Sequence, residues 1–144
     1  MKVTIKVARL HSNATLPRYA HMGPFGDLAA DLYSAEATTL GAGETRAVAT
    51  GLAFEFPAEY GALVQDRSGL ALKGISTLAG VIDPGYRGEL KVVITNLGSQ
   101  PLEISPGDRI AQLRIVHRIE AEFTEAESLA ETQRNARGFG STGK

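Results

Sequence analysis

The spacing of turn residues is the feature of this chain that most limits its fold. Apolar and polar side chains alternate with a period of two in many short segments, as in half-buried strands. Turns rich in glycine and proline separate these segments about every 8–12 residues. Few segments have a helical period. This pattern predicts an all-β fold of the sandwich, barrel or jelly-roll type.

The positions of the strands follow from the same alternation. The first is predicted over 3–7, and the last strong one, over 110–116, is predicted to extend into 119–123. Ser68 is placed to cap one short helical turn over 70–73. The other predicted strands cover 45–56, 60–65, 75–82, 89–97 and 102–104.

The composition is that of one globular domain of 144 residues. Hydrophobic residues make up 43% and charged residues 22%, and no run approaches the roughly 20 apolar residues that a membrane span needs. The absence of cysteine excludes disulfides and thiolate chemistry. A net charge of −1 argues against broad binding to nucleic acid. The first residues lack the apolar core of a signal peptide, so a cytoplasmic protein is expected.

One carboxylate stands at a turn between two apolar segments. Asp83 precedes Pro84-Gly85, a pair that favours a tight reversal because proline fixes φ and glycine tolerates positive φ. An aromatic residue, Tyr86, follows directly. The pattern predicts a hairpin with Asp83 at its mouth. Considered alone, Asp83 is better explained as the start of a turn.

Two stretches carry groups that suit phosphate oxygens. Arg67-Ser68-Gly69 combines a guanidinium, a hydroxyl and glycine amides, and the C-terminal tail offers Arg134, Arg137, Ser141 and Thr142. Arginine provides forked donors, and glycine lets backbone amides approach closely. The structural alternatives are a capped surface turn for the first stretch and a disordered tail for the second.

Isolated residues elsewhere allow more than one interpretation. Gln112 is a polar side chain among apolar neighbours, and it either holds a water or satisfies a backbone group. Phe139 has no core to enter in its polar tail and is suited to stack on a base. Asp31 alone passes as a turn residue. The three histidines lack the spacing of a metal site or of a catalytic triad.

Five stretches of the chain form an ordered set between residues 29 and 143. They are Ala29-Ala30-Asp31-Leu32-Tyr33-Ser34-Ala35, Asp66-Arg67-Ser68-Gly69-Leu70-Ala71, Gly80 to Glu89, Gly107-Asp108-Arg109-Ile110-Ala111-Gln112-Leu113 and Gly138-Phe139-Gly140-Ser141-Thr142-Gly143. In this order they resemble the motifs of the trimeric dUTPase family, the pyrophosphatases that convert dUTP to dUMP. The third, fourth and fifth motifs are highly specific as a set.

The resemblance implies a distorted jelly-roll or β-clip fold over residues 1–119 and an extended, flexible C-terminal arm over 120–144. It implies a homotrimer with active sites at subunit interfaces, each closed by the arm of another chain. The implied reaction is hydrolysis of dUTP to dUMP and pyrophosphate. That reaction would supply dUMP for dTMP synthesis and keep uracil out of DNA. No membrane partner and no direct nucleic-acid binding are expected.

The resemblance also implies roles in the chemical step. Asp83 would be the general base that activates the water attacking the α-phosphorus. Gln112 would help position that water, and Ser68 is implied to be a third catalytic residue. Mg²⁺ would bridge the phosphates, held mainly by substrate and water, with Asp31 acting through water.

A further set of residues is implied to bind the substrate. Backbone groups of 78–82 would pair with the uracil edge, and their hairpin would exclude the methyl group of thymine. Tyr86 would lie against the deoxyribose, Phe139 would cover the uracil, and the arm would close on the terminal phosphates. The implied substrate-binding residues are Arg67, Ser68, Gly69, Leu78, Gly80, Val81, Ile82, Asp83, Tyr86, Arg134, Phe139, Gly140, Ser141 and Thr142.

Several positions depart from the family pattern. Asp66 stands where a proline usually precedes the arginine, and Thr77 stands where many members carry an asparagine. Ala29 replaces a usual glycine of the first motif. Asn135 and Arg137 replace glycines of the arm.

Two other functions fit the same fold. A dCTP deaminase would need a glutamate on the strand after the turn, and Val93 occupies the matching position, which disfavours deamination. A non-catalytic nucleotide-binding regulator is the other alternative. The presence of Asp83, Gln112 and the Ser141-Thr142 arm argues against it.

Overall fold

The computed structural model describes residues 1–140, and its regular secondary structure is almost entirely antiparallel strands, which confirms the predicted all-β class. Ten strands and one helical turn occur in this part of the chain. They are β1 (Lys6–Arg9), β2 (Ala30–Tyr33), β3 (Thr38–Leu40), β4 (Thr45–Glu55), β5 (Tyr60–Gln65), α1 (Ser68–Ala71), β6 (Ile75–Leu78), β7 (Val81–Ile82), β8 (Glu89–Asn96), β9 (Leu102–Ile104) and β10 (Arg109–His117).

The strands form two four-stranded sheets and a two-stranded one. The first sheet has the order β1-β4-β8-β6, the second has the order β2-β10-β5-β7, and β3 pairs with β9. Buried side chains of both large sheets join one apolar cluster, so the sheets pack on each other around a single core. No helix of the described residues is long and apolar enough to cross a membrane.

The core follows the period of two that the sequence predicts. On β8, Leu90, Val92 and Ile94 are buried, whereas Lys91 is exposed and Val93 is half-buried. Burying one such aliphatic side chain stabilises the fold by about 1.5–3 kcal/mol. The strand that follows the Asp83 turn is therefore firmly fixed in the middle of the first sheet.

The predicted continuous strand over 75–82 is wrong. β6 ends at Leu78 and β7 begins at Val81, and Ala79 and Gly80 between them have φ angles of +61° and +101°. β6 pairs with β8 in the first sheet, whereas β7 pairs with β5 in the second. The left-handed pair moves the chain from one sheet to the other, which regular alternation does not reveal.

The predicted hairpin at Pro84-Gly85 is also wrong, although the turn is present. The amide of Tyr86 donates to the carbonyl of Asp83 at 3.1 Å, which closes a β-turn. The flanking strands, β7 and β8, lie in different sheets, because β7 pairs with β5 and β8 lies between β4 and β6. The turn therefore joins the two sheets, and Gly85 forms it without a positive φ.

The chain ends of the fold differ from the prediction. β1 begins at Lys6, three residues later than predicted, and β10 ends at His117. The predicted extension over 119–123 is wrong: Ile119 is 85% exposed and Phe123 is 95% exposed. Residues 120–140 lie outside the strands and are almost wholly exposed. Whether this segment closes a neighbouring subunit's site stays a prediction.

Candidate functional site

Basic and acidic side chains gather where β2, β10 and the end of β5 run side by side. We call Asp31, Arg67, Ser68, Gly69 and Arg109 the basic cluster. The Nε atom of Arg67 lies 3.3 Å from Oδ1 of Asp31, and Nη1 of Arg109 lies 3.9 Å from Oδ2. The Asp31 side chain is only 15% exposed. One carboxylate thus holds two guanidinium groups next to each other, an arrangement suited to a polyanion.

The helical turn α1 adds backbone donors to the basic cluster. Arg67 is its N-cap, and no side chain caps it. The prediction that Ser68 caps the turn is wrong, because Ser68 is already the first helical residue. Amides of a first turn have no partner within the helix. A Cβ atom on Gly69 would meet nothing within 4 Å, so this backbone is open to a ligand.

Gln112 connects the basic cluster to the sheet. It lies on β10 in register with Asp31 of β2 and Gln65 of β5. Its Nε2 donates to the carbonyl of Asp66 at 2.7 Å. Of the two predicted roles of Gln112, the structure thus shows the one in which its side chain satisfies a backbone group. Its Oε1 atom is left to accept a hydrogen bond.

Asp83 and Tyr86 form a second group on a different part of the surface. We call residues 83–88 the carboxylate turn. Asp83 is exposed, and the phenol of Tyr86 donates to the carbonyl of Glu89 at 2.7 Å. A Cβ atom on Gly88 would lie 2.6 Å from that phenol oxygen, so glycine is needed for the ring to pass. The surrounding depression is lined by Val81, Ile82, Asp83, Tyr86, Glu89, Leu90 and Lys91.

The backbone before the carboxylate turn is held close to β5. The amide of Val64 donates to the carbonyl of Gly80 at 2.7 Å. A Cβ atom on Gly80 would lie 2.6 Å from the carbonyl oxygen of Val64, so only glycine fits here without a shift. Leu78 and Val81 flank this point with side chains that are 44% and 71% exposed. The arrangement presents apolar side chains and free backbone edges beside Asp83.

The two groups do not meet within one chain. Asp83 follows Ile82, which pairs with Ala62, and thus lies beside Gly61. Gly61 is in register with Val116 of β10, four residues from Gln112. Four residues of a strand span about 13 Å. Along the strands, Asp83 and the basic cluster of the same chain are therefore about that far apart.

As far as Gly140, the arm makes no hydrogen bond or ion pair with either group. Within the described residues, the hydrogen bonds of the segment 132–137 are internal: Arg134 Nε donates to the carbonyl of Arg137 at 2.6 Å, and Arg137 Nε donates to that of Arg134 at 3.2 Å. Phe139 is fully exposed with a φ of +50°, and Gly140 follows at +90°. Ser141 and Thr142 lie outside the described residues.

The sequence did not single out two residues that the structure brings to the site. Arg109 lies in the fourth motif with no implied role, and Asp66 is only a departure from the second motif. The signal for Arg109 is a cation at the start of β10, after a Gly-Asp turn. β10 pairs with β2, the strand of Asp31, and a correct prediction of this pairing would have placed the two charges together.

The donors of the described residues suit Mg²⁺ only in part. No group of three or more histidine, aspartate or glutamate side chains that could hold a metal ion occurs in residues 1–140. The Asp31 carboxylate is shared by two guanidinium groups, and Asp83 stands alone on its turn. Mg²⁺ keeps several waters and often takes phosphate oxygens. A Mg²⁺ ion at this site would therefore be held mainly by bound phosphates and water.

Comparison with known proteins gives consistent matches. The dUTPase family model matches residues 18–143. The chain is 48% identical to the deoxyuridine 5'-triphosphate nucleotidohydrolase of Solibacter usitatus, over 99% of this chain and 98% of that protein. It is 45% identical to the protein of the same name from Anaeromyxobacter sp., over the whole of both chains.

Solved structures show the same likeness. The dUTPase of Staphylococcus bacteriophage 80alpha with dUPNHPP has a TM-score of 0.86 and 28% identity, and the match covers 98% of this chain and 99% of that one. A mutant dUTPase from phage phi11 of S. aureus, described with a structural Mg(II) ion, has a TM-score of 0.79 and 27% identity. That match covers 89% of this chain and 99% of the phage protein.

Proposed function

We propose that this chain, which belongs to the dUTPase family and is a dUTP diphosphatase, works as a homotrimer whose sites combine two subunits. The observation that carries the proposal is the distance of about 13 Å along the strands between the two groups of one chain. The carboxylate turn has an exposed carboxylate that can act as the base, and the basic cluster has two guanidinium groups beside the amides of α1. A neighbouring copy supplies the missing half without any change of fold.

The basic cluster binds the phosphate chain in this proposal. Arg67 and Arg109 both lie against Asp31, so two guanidinium groups are already close together before an anion arrives. Ser68 adds its hydroxyl, and Ser68 and Gly69 add backbone amides at the start of α1. These donors match the oxygens of a triphosphate.

Asp83 of the other subunit acts as the general base. Its carboxylate takes a proton from water as the water oxygen bonds to the α-phosphorus. The bond between that phosphorus and the oxygen bridging to the β-phosphorus breaks, and pyrophosphate leaves. Gln112, whose amide nitrogen is engaged with Asp66, offers its Oε1 to orient the attacking water. Mg²⁺, when bound to the phosphates, neutralises the charge that develops on the leaving group.

The segment around Gly80 and Tyr86 recognises the nucleoside. Leu78, Val81 and Ile82 offer apolar contacts, and the backbone at Gly80 offers its edge to uracil. The ring of Tyr86 is 46% exposed and is fixed by its bond to the carbonyl of Glu89, so it forms a rigid wall against the deoxyribose. A rigid wall rejects an added 2′-hydroxyl through shape.

The arm of a subunit closes the site in the last part of the proposal. Arg134, Phe139 and Gly140 are exposed and unattached to the sheets in residues 1–140, as a segment that acts on a neighbour would be. Ser141 and Thr142 continue this segment. The arginine and the hydroxyls would cover the terminal phosphates, and Phe139 would stack on the base. The cellular role we infer is cytoplasmic supply of dUMP and exclusion of uracil from DNA.

Deamination of dCTP is disfavoured by the position of Val93. This residue lies on β8 between Ala47 of β4 and Leu78 of β6, and its side chain cannot transfer a proton. A test offers dUTP and dCTP separately with Mg²⁺ and measures pyrophosphate and ammonia. We expect pyrophosphate from dUTP and no ammonia from dCTP. Ammonia release, or binding of dUTP without turnover, would contradict the proposed function.

A further inference from the structure

Asp66 links the basic cluster to the neighbouring strand β6. Its Oδ1 accepts hydrogen bonds from the backbone amide and from the hydroxyl of Thr77, both at 2.6 Å. Its Oδ2 accepts from the hydroxyl of Ser76 at 3.1 Å. The half-buried carboxylate therefore has three donors from two consecutive residues of β6.

The main chain of Asp66 holds the other side of the site. Its carbonyl accepts from Nε2 of Gln112 on β10 at 2.7 Å. Asp66 also lies between Gln65, the last residue of β5, and Arg67, the N-cap of α1. One residue thus fixes β6, β10 and the start of α1 relative to one another.

Asp66 and Thr77, two positions at which the chain departs from the motifs it resembles, are in direct contact in this link. A proline at position 66 would have no side-chain group to accept hydrogen bonds from Thr77.

The carboxylate is charged at neutral pH. Burial alone would raise the pKa of Asp66, but the hydrogen bonds from Thr77 and Ser76 together bring it below its ordinary value. Hydrogen bonds to an ionised acceptor are about twice as strong as those between neutral groups. The charged carboxylate therefore strengthens the three hydrogen bonds that tie Asp66 to β6.

We propose that Asp66 is a positioning residue for the phosphate chain of the nucleotide. By anchoring the backbone between β6 and Gln112, it sets the place of Arg67 and of the first amides of α1. Asp66 acts through these neighbours and not by contact with substrate. The inference rests on the proposed function, because it concerns the same site. It implies that losing the link weakens binding of a triphosphate more than binding of a monophosphate.

The test compares Asp66→Ala, Thr77→Val and the double variant with the wild-type protein. Steady-state hydrolysis gives kcat and KM for dUTP, and calorimetry gives Kd for dUMP and for a non-hydrolysable dUTP analogue. For Asp66→Ala, which removes every side-chain acceptor of the link, we expect KM and the analogue's Kd to rise about tenfold, with the Kd of dUMP within about twofold. The double variant should resemble Asp66→Ala, because position 77 then has no carboxylate left to bond.

Two control variants separate positioning from general stability. Asp27→Asn removes a carboxylate that accepts from the amide of His21 at 2.8 Å in a loop outside the basic cluster, and it should leave the affinities unchanged. Thr77→Ser keeps the hydroxyl and should stay near wild type. Equal weakening of dUMP and analogue, or a lower Tm with unchanged KM, would overturn the inference. The ratio of the Kd values for dUMP and the analogue can be measured without turnover. If the wild-type chain bound the analogue but did not hydrolyse dUTP, that result would contradict the proposed function and leave this inference open to the same test.

Discussion

The basic cluster and the carboxylate turn place their charged groups in different ways. In the basic cluster, Arg67 and Arg109 are oriented by the carboxylate of Asp31. In the carboxylate turn, Asp83 is exposed, and the backbone places it through the bond from Tyr86 and the left-handed Gly80. Side-chain charges thus hold the half proposed to bind phosphate, and backbone geometry holds the proposed base. Substitutions in the two groups should therefore have different effects on kcat, affinity and stability.

The largest effect is expected from the base. Asp83→Asn keeps the size and the turn-forming ability of the side chain but cannot accept the proton. We expect kcat for dUTP to fall about 10²–10⁴-fold. The Kd of a non-hydrolysable dUTP analogue should change by no more than about threefold, since the basic cluster is intact. Nearly wild-type kcat in this variant would remove Asp83 from the role of base.

Mixing two inactive variants tests whether the two halves come from different subunits. Arg67→Ala damages the basic cluster and Asp83→Asn the carboxylate turn. In randomly mixed trimers, about one site in four combines two undamaged halves if the halves belong to different chains. Activity should then rise from the low level of either variant to about a quarter of wild type.

The mixing experiment gives the opposite result if each site is built within one chain. If both halves of a site came from the same chain, every site of a mixed trimer would carry one damaged half, and no activity would return. The control takes each variant alone through the same dissociation and reassembly. A return of activity in a control would show that reassembly, and not complementation, is being measured.

The sequence predicted the strands of the core better than the connections between them. Leu90, Val92 and Ile94 are buried as their alternation indicates, because a period of two is a local property. The change of sheet at Ala79 and Gly80 depends on which edges β5 and β8 offer, and that information is not local. The hairpin prediction was wrong for this reason, although its turn residues were correctly identified.

The same limit applies to the candidate site. The groups that suit phosphate were recognised in Arg67-Ser68-Gly69 by their chemistry. The pairing of Arg109 with Asp31, and of Asp66 with Thr77, depends on strand register and could not be read from spacing. The resemblance to a family supplied the roles. It did not reveal the contacts made by the residues at which this chain departs from the family pattern.

A smaller effect is expected where backbone geometry places the carboxylate turn. Gly80→Ala puts a Cβ atom 2.6 Å from the carbonyl oxygen of Val64, at a φ of +101°. We expect the free energy of unfolding to fall by about 1–3 kcal/mol. Gly85→Ala is the matched control: no atom lies within 4 Å of its Cβ position and its φ is not positive, so its stability should change by less than about 0.5 kcal/mol. Chemical denaturation at equal protein concentration measures both.

The smallest effect is expected from lowering the pH, which acts on the basic cluster through Asp66. The pKa of Asp66 is below its ordinary value of 3.8, so the folded chain binds its proton less readily than the unfolded chain. Its stabilising contribution is therefore complete above the ordinary value and is lost as the pH falls through the lower, folded pKa. The wild type should exceed Asp66→Asn in unfolding free energy by about 1–2 kcal/mol at pH 6.

That difference between wild type and Asp66→Asn should stay constant down to about pH 5 and shrink below about pH 4. Other carboxylates with a lowered pKa, such as Asp27 and Glu44, are present in both proteins and cancel from the difference. Denaturation curves at matched protein concentration between pH 6 and pH 3 measure it. A difference that grew as the pH fell would mean that the carboxylate does not stabilise the fold in its charged form, and the link from Asp66 to Thr77 would then not be the restraint that holds the basic cluster.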